Sequence, residues 1–353
     1  MKSRLFLLLL MLWPVAASAQ LYALRDSVAN GYNFWLYVPK NYKDCRAERL
    51  AALSDTTTVQ RDTTRRRPMP IVLFLHGRSL SGTNLYTVRK YGTLDALTTG
   101  RKIDALIIAP QVKFDDWWRP HRLMNVVRWV SERYDVDSTR LYVLGMSLGG
   151  YGAIDFAAAY PDKTAAAMAF CGGSTRKDSE LKKLNRVPLW IMHGTADRDV
   201  PVKEARRVRQ AMEEDNSELP LLRYDEFEGA GHSVFARAFY LNETYDWLFK
   251  HSTADSVRVV DRTIKIPISR MSRENAYVGL KFGSVKLKVV DPQGEGVVPK
   301  DLPQPQAKYH IIKQGDTLGH LAIKYKTTVR KICALNKINE NTILKLGKKL
   351  RVQ

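Results

Sequence analysis

Cysteine is scarce in this chain, with only Cys45, Cys171 and Cys333 among 353 residues. Three scattered thiols cannot form a disulfide framework, and none sits in a CxxC or Cys/His spacing that would hold zinc, so the fold must rest on its apolar core. Cys45 and Cys171 are a candidate pair, and the odd total leaves at least one thiol free. Long hydrophobic runs are also missing. Beyond the first 20 residues, no segment reaches the ~18 uninterrupted apolar residues of a membrane-spanning helix. Acidic residues are the third shortage: 36 stand against 56 Lys and Arg, for a net charge of +20. That imbalance favours anionic surroundings, such as nucleic acid, envelope polymers or acidic lipid, without choosing among them. Neither glycine (21) nor proline (15) is in excess and 45% of the residues are apolar, which excludes a collagen-like or mostly disordered chain. The length allows two domains, or one large domain with an appendage.

The N-terminus narrows the setting. Lys2 and Arg4 precede an apolar run over residues 5–13, followed by Pro14 and the small-residue triplet Ala17-Ser18-Ala19. This pattern reads as a secretory signal over residues 1–19, because the run is too short to span a bilayer and the triplet fits a signal-peptidase cleft. The expectation is an exported chain, periplasmic, wall-associated or extracellular, with no integral span after cleavage, and this weakens the nucleic-acid reading of the charge.

Residues 21–26 and 32–38 predict two strands joined at Asn30-Gly31, a hairpin signal. Residues 43–67 are rich in Thr, Asp and Arg without apolar period and read as a flexible surface insertion. From Pro70 onward the texture changes. Short apolar runs at 71–75, 105–109, 141–144, 165–170, 188–192 and 221–227 suit buried strands of a mainly parallel sheet. Between them, segments 122–134, 149–160 and 202–214 carry apolar residues three or four apart, as amphipathic crossover helices require. A last helix is expected over 235–249. The order predicts an α/β layer fold over residues 20–250. Residues 251–307 read as a small β element, with candidate strands at 263–268 and 284–290, followed by a Pro-rich and Gly-rich linker over 291–306.

The strongest chemical signal is Gly145-Met146-Ser147-Leu148-Gly149-Gly150, directly after one expected strand and before a helix. A serine on such a turn is held in strained backbone geometry with its hydroxyl exposed at a helix N-terminus, and glycines are needed where side chains would clash. A serine hydroxyl needs an imidazole to take its proton and a carboxylate to hold that imidazole. Downstream, Asp197 follows the strand at 188–192 and His232 follows the strand at 221–227, both on loops beyond strand C-termini, where open α/β sheets bind ligands. Asp199 is the alternative acid. His76 and His193, at strand ends, read as hydrogen-bonded supports, and His121 and His251 as surface residues on helix ends. Oxyanion donors are expected from the backbone N–H of Leu148 and from the turn His76-Gly77-Arg78, at Arg78. Asp115, Asp116, Trp117 and Trp118 either line a pocket or form an aromatic core cluster. No metal or organic cofactor is implied.

The segments LFLHG, DSTRLYVLGMSLGGYGAIDFAAAYPD, FCGG, PLWIMHGTADRDVP and GAGHSVF resemble secreted α/β-hydrolases grouped with poly(3-hydroxybutyrate) depolymerases, feruloyl esterases and prolyl-oligopeptidase-like predicted peptidases. The resemblance implies an α/β-hydrolase fold with Ser147 as nucleophile, Asp197 as acid and His232 as base. It leaves ester and peptide bonds both open.

Residues 308–353 hold eleven basic and two acidic residues, +9 of the total +20. The pattern predicts strand, helix, helix, strand, with Thr327 or Thr328 capping the second helix. This stretch closely resembles the LysM module in YHIIKQGDTLGHLAIKYKTTVRKICALNKI and GKKLRV. The resemblance implies binding of peptidoglycan or another N-acetylglucosamine-containing glycan through Gly315, Asp316, Thr317, Leu318, Asn341 and Ile343, and no recognisable nucleic-acid motif competes with it. The combined expectation is an exported serine hydrolase acting on a small ester or acyl substrate and tethered to cell-wall glycan. The alternatives are a serine peptidase on the same residues and a wall-binding protein without activity.

Overall fold

The computed structural model describes residues 19–42, 44, 68–291, 308–325, 327–340, 342 and 344–352. The expected signal segment 1–18, all but Asp44 of the insertion 43–67, Cys45 and the linker 292–306 lie outside the described residues, as do the candidate glycan contacts Asn341 and Ile343. The chain divides into two compact units, the larger running to Lys300 and the smaller built mainly from Asp301–Gln353.

In the larger unit nine strands form one sheet: β1 (Gln20–Leu24), β2 (Phe34–Val38), β3 (Met69–Leu75), β4 (Leu106–Pro110), β5 (Val136–Met146), β6 (Ala166–Phe170), β7 (Leu189–Gly194), β8 (Leu222–Phe227) and β9 (Lys288–Val290). Their order is β8-β7-β6-β5-β3-β4-β2-β1-β9. Strands β3 to β8 pair in parallel, and β2 runs against both β4 and β1. Strand β4 (LIIAP) is buried throughout, and β5 is buried from Leu141 onward. Sheets covered on both faces need continuous apolar runs of this kind rather than alternation. The helices α1 (Thr93–Thr98), α2 (Pro120–Arg133), α3 (Leu148–Ala159), α4 (Lys203–Glu213) and α5 (Asn242–Phe249) accompany the sheet. On α4, the buried Ala205, Val208, Ala211 and Met212 stand three or four apart, the stripe that a crossover helix turns to its sheet.

The expected helix over 235–249 is split in two. His232–Tyr240 is 3₁₀, and α5 follows after Leu241. The 3₁₀ segment brings Phe239 against Phe74 and Phe170, with ring centroids at 5.1 and 5.3 Å, while α5 sets Trp247 against Trp190 at 5.2 Å. Residues 251–291 return across the sheet. Arg258 donates to the carbonyls of Thr164 and Ala165, Arg262 to that of Leu222, and Trp247 Nε1 to that of Asp261. Of the two strands expected here, residues 263–268 form none, whereas β9 pairs in parallel with β1 and extends the main sheet. This return corrects the surface reading of His251. The ring is 4% exposed, packs on Trp247 at 4.5 Å and accepts the Asp261 N–H at 3.2 Å, because the chain after α5 folds back over the helix end.

The smaller unit has β10 (Tyr309–Ile311) and β11 (Lys349–Arg351) pairing antiparallel, with α6 (Leu318–Lys324) and α7 (Val329–Asn336) between them in sequence. Ile312, Leu318, Leu321, Ala322, Ile332, Cys333, Leu350 and Val352 form its core. Asn336 fastens α7 to β11, donating to Arg351 O at 2.6 Å and accepting Arg351 N–H at 2.8 Å.

Candidate active site

Strand β5 runs straight into Ser147, which adopts φ 59°, ψ −123°, before α3 starts at Leu148. Left-handed backbone at a non-glycine residue costs roughly 1–3 kcal/mol and persists only where its surroundings fix it. Here they do. The Ser147 N–H donates to Phe170 O on β6 at 2.8 Å, and the Ser147 carbonyl accepts from Tyr151 N–H at 3.0 Å. The two flanking glycines are sterically obligatory: a Cβ on Gly145 would lie 2.3 Å from Gly149 O, and one on Gly149 would lie 1.9 Å from Leu75 O. The elbow is therefore pressed directly against the end of β3.

Beyond β3, Gly77 lies alongside the nucleophile candidate, since a Cβ on it would be 3.5 Å from Ser147 Cβ. Leu148 opens α3 and Arg78 opens a short 3₁₀ turn, Arg78–Leu80, so each presents an N–H with no acceptor inside its own helix. The Arg78 side chain reaches the other way, donating to the carbonyls of Phe114 and Asp116 and lying 5.6 Å from the Trp117 ring. The two adjacent tryptophans separate. Trp118 is buried beneath Gly152 and against His76, while Trp117 stays partly exposed and packs edge-on against Tyr151 at 5.6 Å. His76 is a support: its Nδ1 bonds Gly77 O at 2.8 Å, its Nε2 accepts from Val112 N–H at 3.3 Å, and burial pushes its pKa down to about 4.

The loops after β7 and β8 are stitched together. Ala196 N–H donates to Ala230 O at 3.1 Å, Gly229 N–H to Thr195 Oγ1 at 2.9 Å, and a Cβ on Gly194 would lie 2.1 Å from Ala230 O. This stitching brings His232 Nδ1 to 2.7 Å from Asp197 Oδ2. The other oxygen, Oδ1, accepts the N–H groups of Asp199 and Val200, both at 2.9 Å. Asp199 thus supports Asp197 through its backbone, while its own side chain faces solvent. Burial alone would raise the Asp197 pKa. The hydrogen bonds from Val200 and His232, with the Cys171 thiol nearby, outweigh it and hold the carboxyl below its usual range. His193, fully buried, bonds Val200 O through Nε2 at 2.8 Å and lies 3.4 Å from Asp197, and desolvation lowers its pKa.

Cys171 is where sequence reasoning missed the site. Considered there only as a disulfide partner, it is a free, buried thiol whose Sγ, a ligand oxygen of Asp197 and a ring nitrogen of His232 lie within 4.8 Å of one another. Such a donor set resembles a metal site on paper. The carboxylate already accepts three hydrogen bonds, and burial followed by the negative Asp197 pushes the thiol pKa far up, so thiolate ligation is disfavoured.

In the smaller unit, Gly315 takes φ 86° in the turn before α6, and Thr317 caps that helix by accepting His320 N–H at 3.1 Å. Asp316 accepts Lys313 N–H at 2.7 Å and pairs with His310 Nε2 at 2.6 Å, while His310 Nδ1 meets the Tyr325 hydroxyl at 2.9 Å. Leu318 is buried in the core rather than offered to solvent. His310, unremarked in the sequence, is what locks this turn.

Residues 115–247 match the family model described as the Dienelactone hydrolase family, and residues 310–353 match that of the LysM domain. Among solved structures, a thermostable esterase is 21% identical with a TM-score of 0.47, covering 67% of this chain and 64% of its own. A CE1 ferulic acid esterase from the anaerobic fungus Anaeromyces mucronatus is 13% identical (TM-score 0.46; 68% of this chain, 92% of its own). A putative dienelactone hydrolase from Klebsiella pneumoniae is 17% identical (TM-score 0.42; 66% and 96%). The chain thus spans just under two thirds of the thermostable esterase's length. No curated protein sequence matches it significantly.

Proposed function

We propose that this chain, an α/β-hydrolase domain of the dienelactone hydrolase type joined to a C-terminal LysM domain, is an exported serine hydrolase of carboxylic esters held on cell-wall glycan. The observation that carries the reading is a strained serine elbow together with a buried carboxylate bonded to a half-buried imidazole, on loops at the same end of one mainly parallel sheet. Ser147 attacks the acyl carbon while His232 takes its proton. Asp197, kept ionised by its three donors, holds His232 with Nδ1 protonated, so that the other ring nitrogen is the base. Negative charge developing on the carbonyl oxygen meets the N–H groups of Leu148 and Arg78. His232 then returns the proton to the leaving alcohol, and water repeats the sequence on the acyl-enzyme.

Esters are favoured over amides because the leaving group is easier and nothing in the sequence is a recognisable seat for a peptide. The LysM unit supplies retention rather than chemistry. It takes N-acetylglucosamine-containing glycan, peptidoglycan above all, along the turn Gly315, Asp316, Thr317, which the buried Leu318 anchors in the core, and the segment holding Asn341 and Ile343. Export follows from the charged, apolar and small-residue succession of residues 1–19. The test is a panel of p-nitrophenyl esters and peptide anilides together with a fluorophosphonate probe. Short-chain esters should give the higher kcat/KM, and the probe should label Ser147. A better anilide would make the chain a peptidase, and labelling at another serine would overturn the assignment.

A further inference from the structure

The acid of the proposed triad has a neighbour that the three-residue scheme leaves without a role. Cys171 directly follows β6, is fully buried, and adopts φ 48°, a left-handed conformation that a non-glycine residue takes only where its surroundings hold it. Its N–H donates to Met192 O at 2.8 Å. One residue earlier, the Phe170 carbonyl accepts the Ser147 N–H, also at 2.8 Å. The tip of a single strand therefore holds the backbone of the nucleophile and sets Sγ within 4.8 Å of the Asp197 carboxylate. Burial drives the thiol pKa far up, so the group is a protonated donor at any working pH. His193 does not compete for this part, because the proton on its Nε2 is directed at Val200 O.

Resting on the triad reading above, we propose that Cys171 is a positioning residue whose thiol donates the fourth hydrogen bond to Asp197. The bond fixes the rotamer from which Oδ2 meets His232, and it draws off part of the negative charge that His232 experiences. Without it, Asp197 presents a fuller charge to the imidazole, which then keeps its proton to higher pH. Three other titratable groups stand around this carboxylate, His193, Asp199 and His232, and none is altered by substitution at residue 171.

The test compares Cys171→Ala, which removes the donor, with Cys171→Ser, which keeps one. The readouts are the second-order rate of fluorophosphonate labelling at Ser147, its pH profile, and the thermal midpoint. Loss of one hydrogen bond to a charged group predicts a fall of about tenfold for Cys171→Ala, with the acid limb moved upward by about half a unit, and substantial recovery of both in Cys171→Ser. Should Cys171→Ala fail to fold, Cys171→Gly, which accepts the left-handed backbone freely, carries the same expectation. A native rate and acid limb in the donor-free variant overturn the proposal. So do equal losses in the alanine and serine variants with an unmoved acid limb, since that is what packing alone would produce. If the native chain is not labelled at Ser147, the triad reading itself falls, and this proposal with it; if the native chain is labelled and Cys171→Ala behaves like it, only the role of Cys171 is lost.

Discussion

Asp197→Asn tests the site most severely, because the amide cannot satisfy both sides of the carboxylate it replaces. In the native chain Oδ1 accepts two N–H groups at 2.9 Å and Oδ2 accepts His232 Nδ1 at 2.7 Å. An asparagine can turn its NH₂ toward the loop, setting donor against donor twice, or toward His232, setting donor against donor once. Each forfeited charge-assisted bond is worth about 1.5–3 kcal/mol, so facing the imidazole is cheaper by roughly that amount. His232 must then present a lone pair at Nδ1 and carry its proton on Nε2, the tautomer that cannot accept one from Ser147. Loss of the correct tautomer costs about 10⁴-fold in kcat, or about 5.5 kcal/mol of barrier. The fold should survive with a thermal midpoint lowered by about 4–10 °C, given one weakened bond in a unit of this size. Asp199→Asn should stay within about threefold of native, because only its backbone N–H, unchanged by the substitution, touches the site. The assay is kcat/KM on p-nitrophenyl acetate alongside fluorophosphonate labelling of Ser147, with circular dichroism to verify folding. Equal losses in the two variants, or more than about 1% of native activity in a folded Asp197→Asn, would refute the tautomer argument.

Ser147→Ala should abolish probe labelling and reduce turnover by about 10⁴-fold or more while leaving urea stability close to native. Gly149→Ala forces a Cβ to within 1.9 Å of Leu75 O, a backbone atom that cannot swing aside, and should cost about 4 kcal/mol or more in urea unfolding; a loss below about 1 kcal/mol would mean that the elbow is not pressed on β3. His76, with a folded pKa near 4 against about 6.5 unfolded, binds its proton more weakly when folded, so its contribution is complete above about pH 6.5 and lost as pH falls toward 4. His76→Gln should therefore remove about 2–4 kcal/mol of the stability difference between pH 7 and pH 4, and an unchanged difference would count against the buried neutral ring. Truncation before Lys308 should leave kcat/KM on a soluble ester unchanged and sharply reduce pelleting with purified sacculi, with the retained fraction of the full chain falling partly as salt rises. Equal pelleting of both forms would end the tethering idea.

The sequence by itself determined the α/β layer fold, the serine elbow between strand and helix, and the strand–helix–helix–strand order of the C-terminal unit. These are written in local terms: apolar runs bounded by Gly and Pro, helical spacing between them, and glycines two residues either side of Ser147. Local pattern also ranked Asp197 ahead of Asp199 without deciding between them, since two residues of one loop differ only in which side chain turns inward. Only the tertiary structure turns one of them inward, by stitching the loops after β7 and β8 together through Gly194 and Ala230 so that the Asp197 carboxylate meets His232. It also decided what residues 251–291 do, because their arginines bond to carbonyls some 40 to 94 positions away and β9 pairs with the opposite end of the unit's chain, partners that no periodicity encodes. The same return buried His251, which its own helix end would have left in water. Trp117 and Trp118, adjacent and chemically identical, parted into a partly exposed ring and a buried one for the same kind of reason: Gly152 and His76 opened space for only one of them. Cys171 lies 26 residues before Asp197 in sequence and against its carboxylate in space, and only the parallel pairing of β6 with β7 brings their two strand ends together.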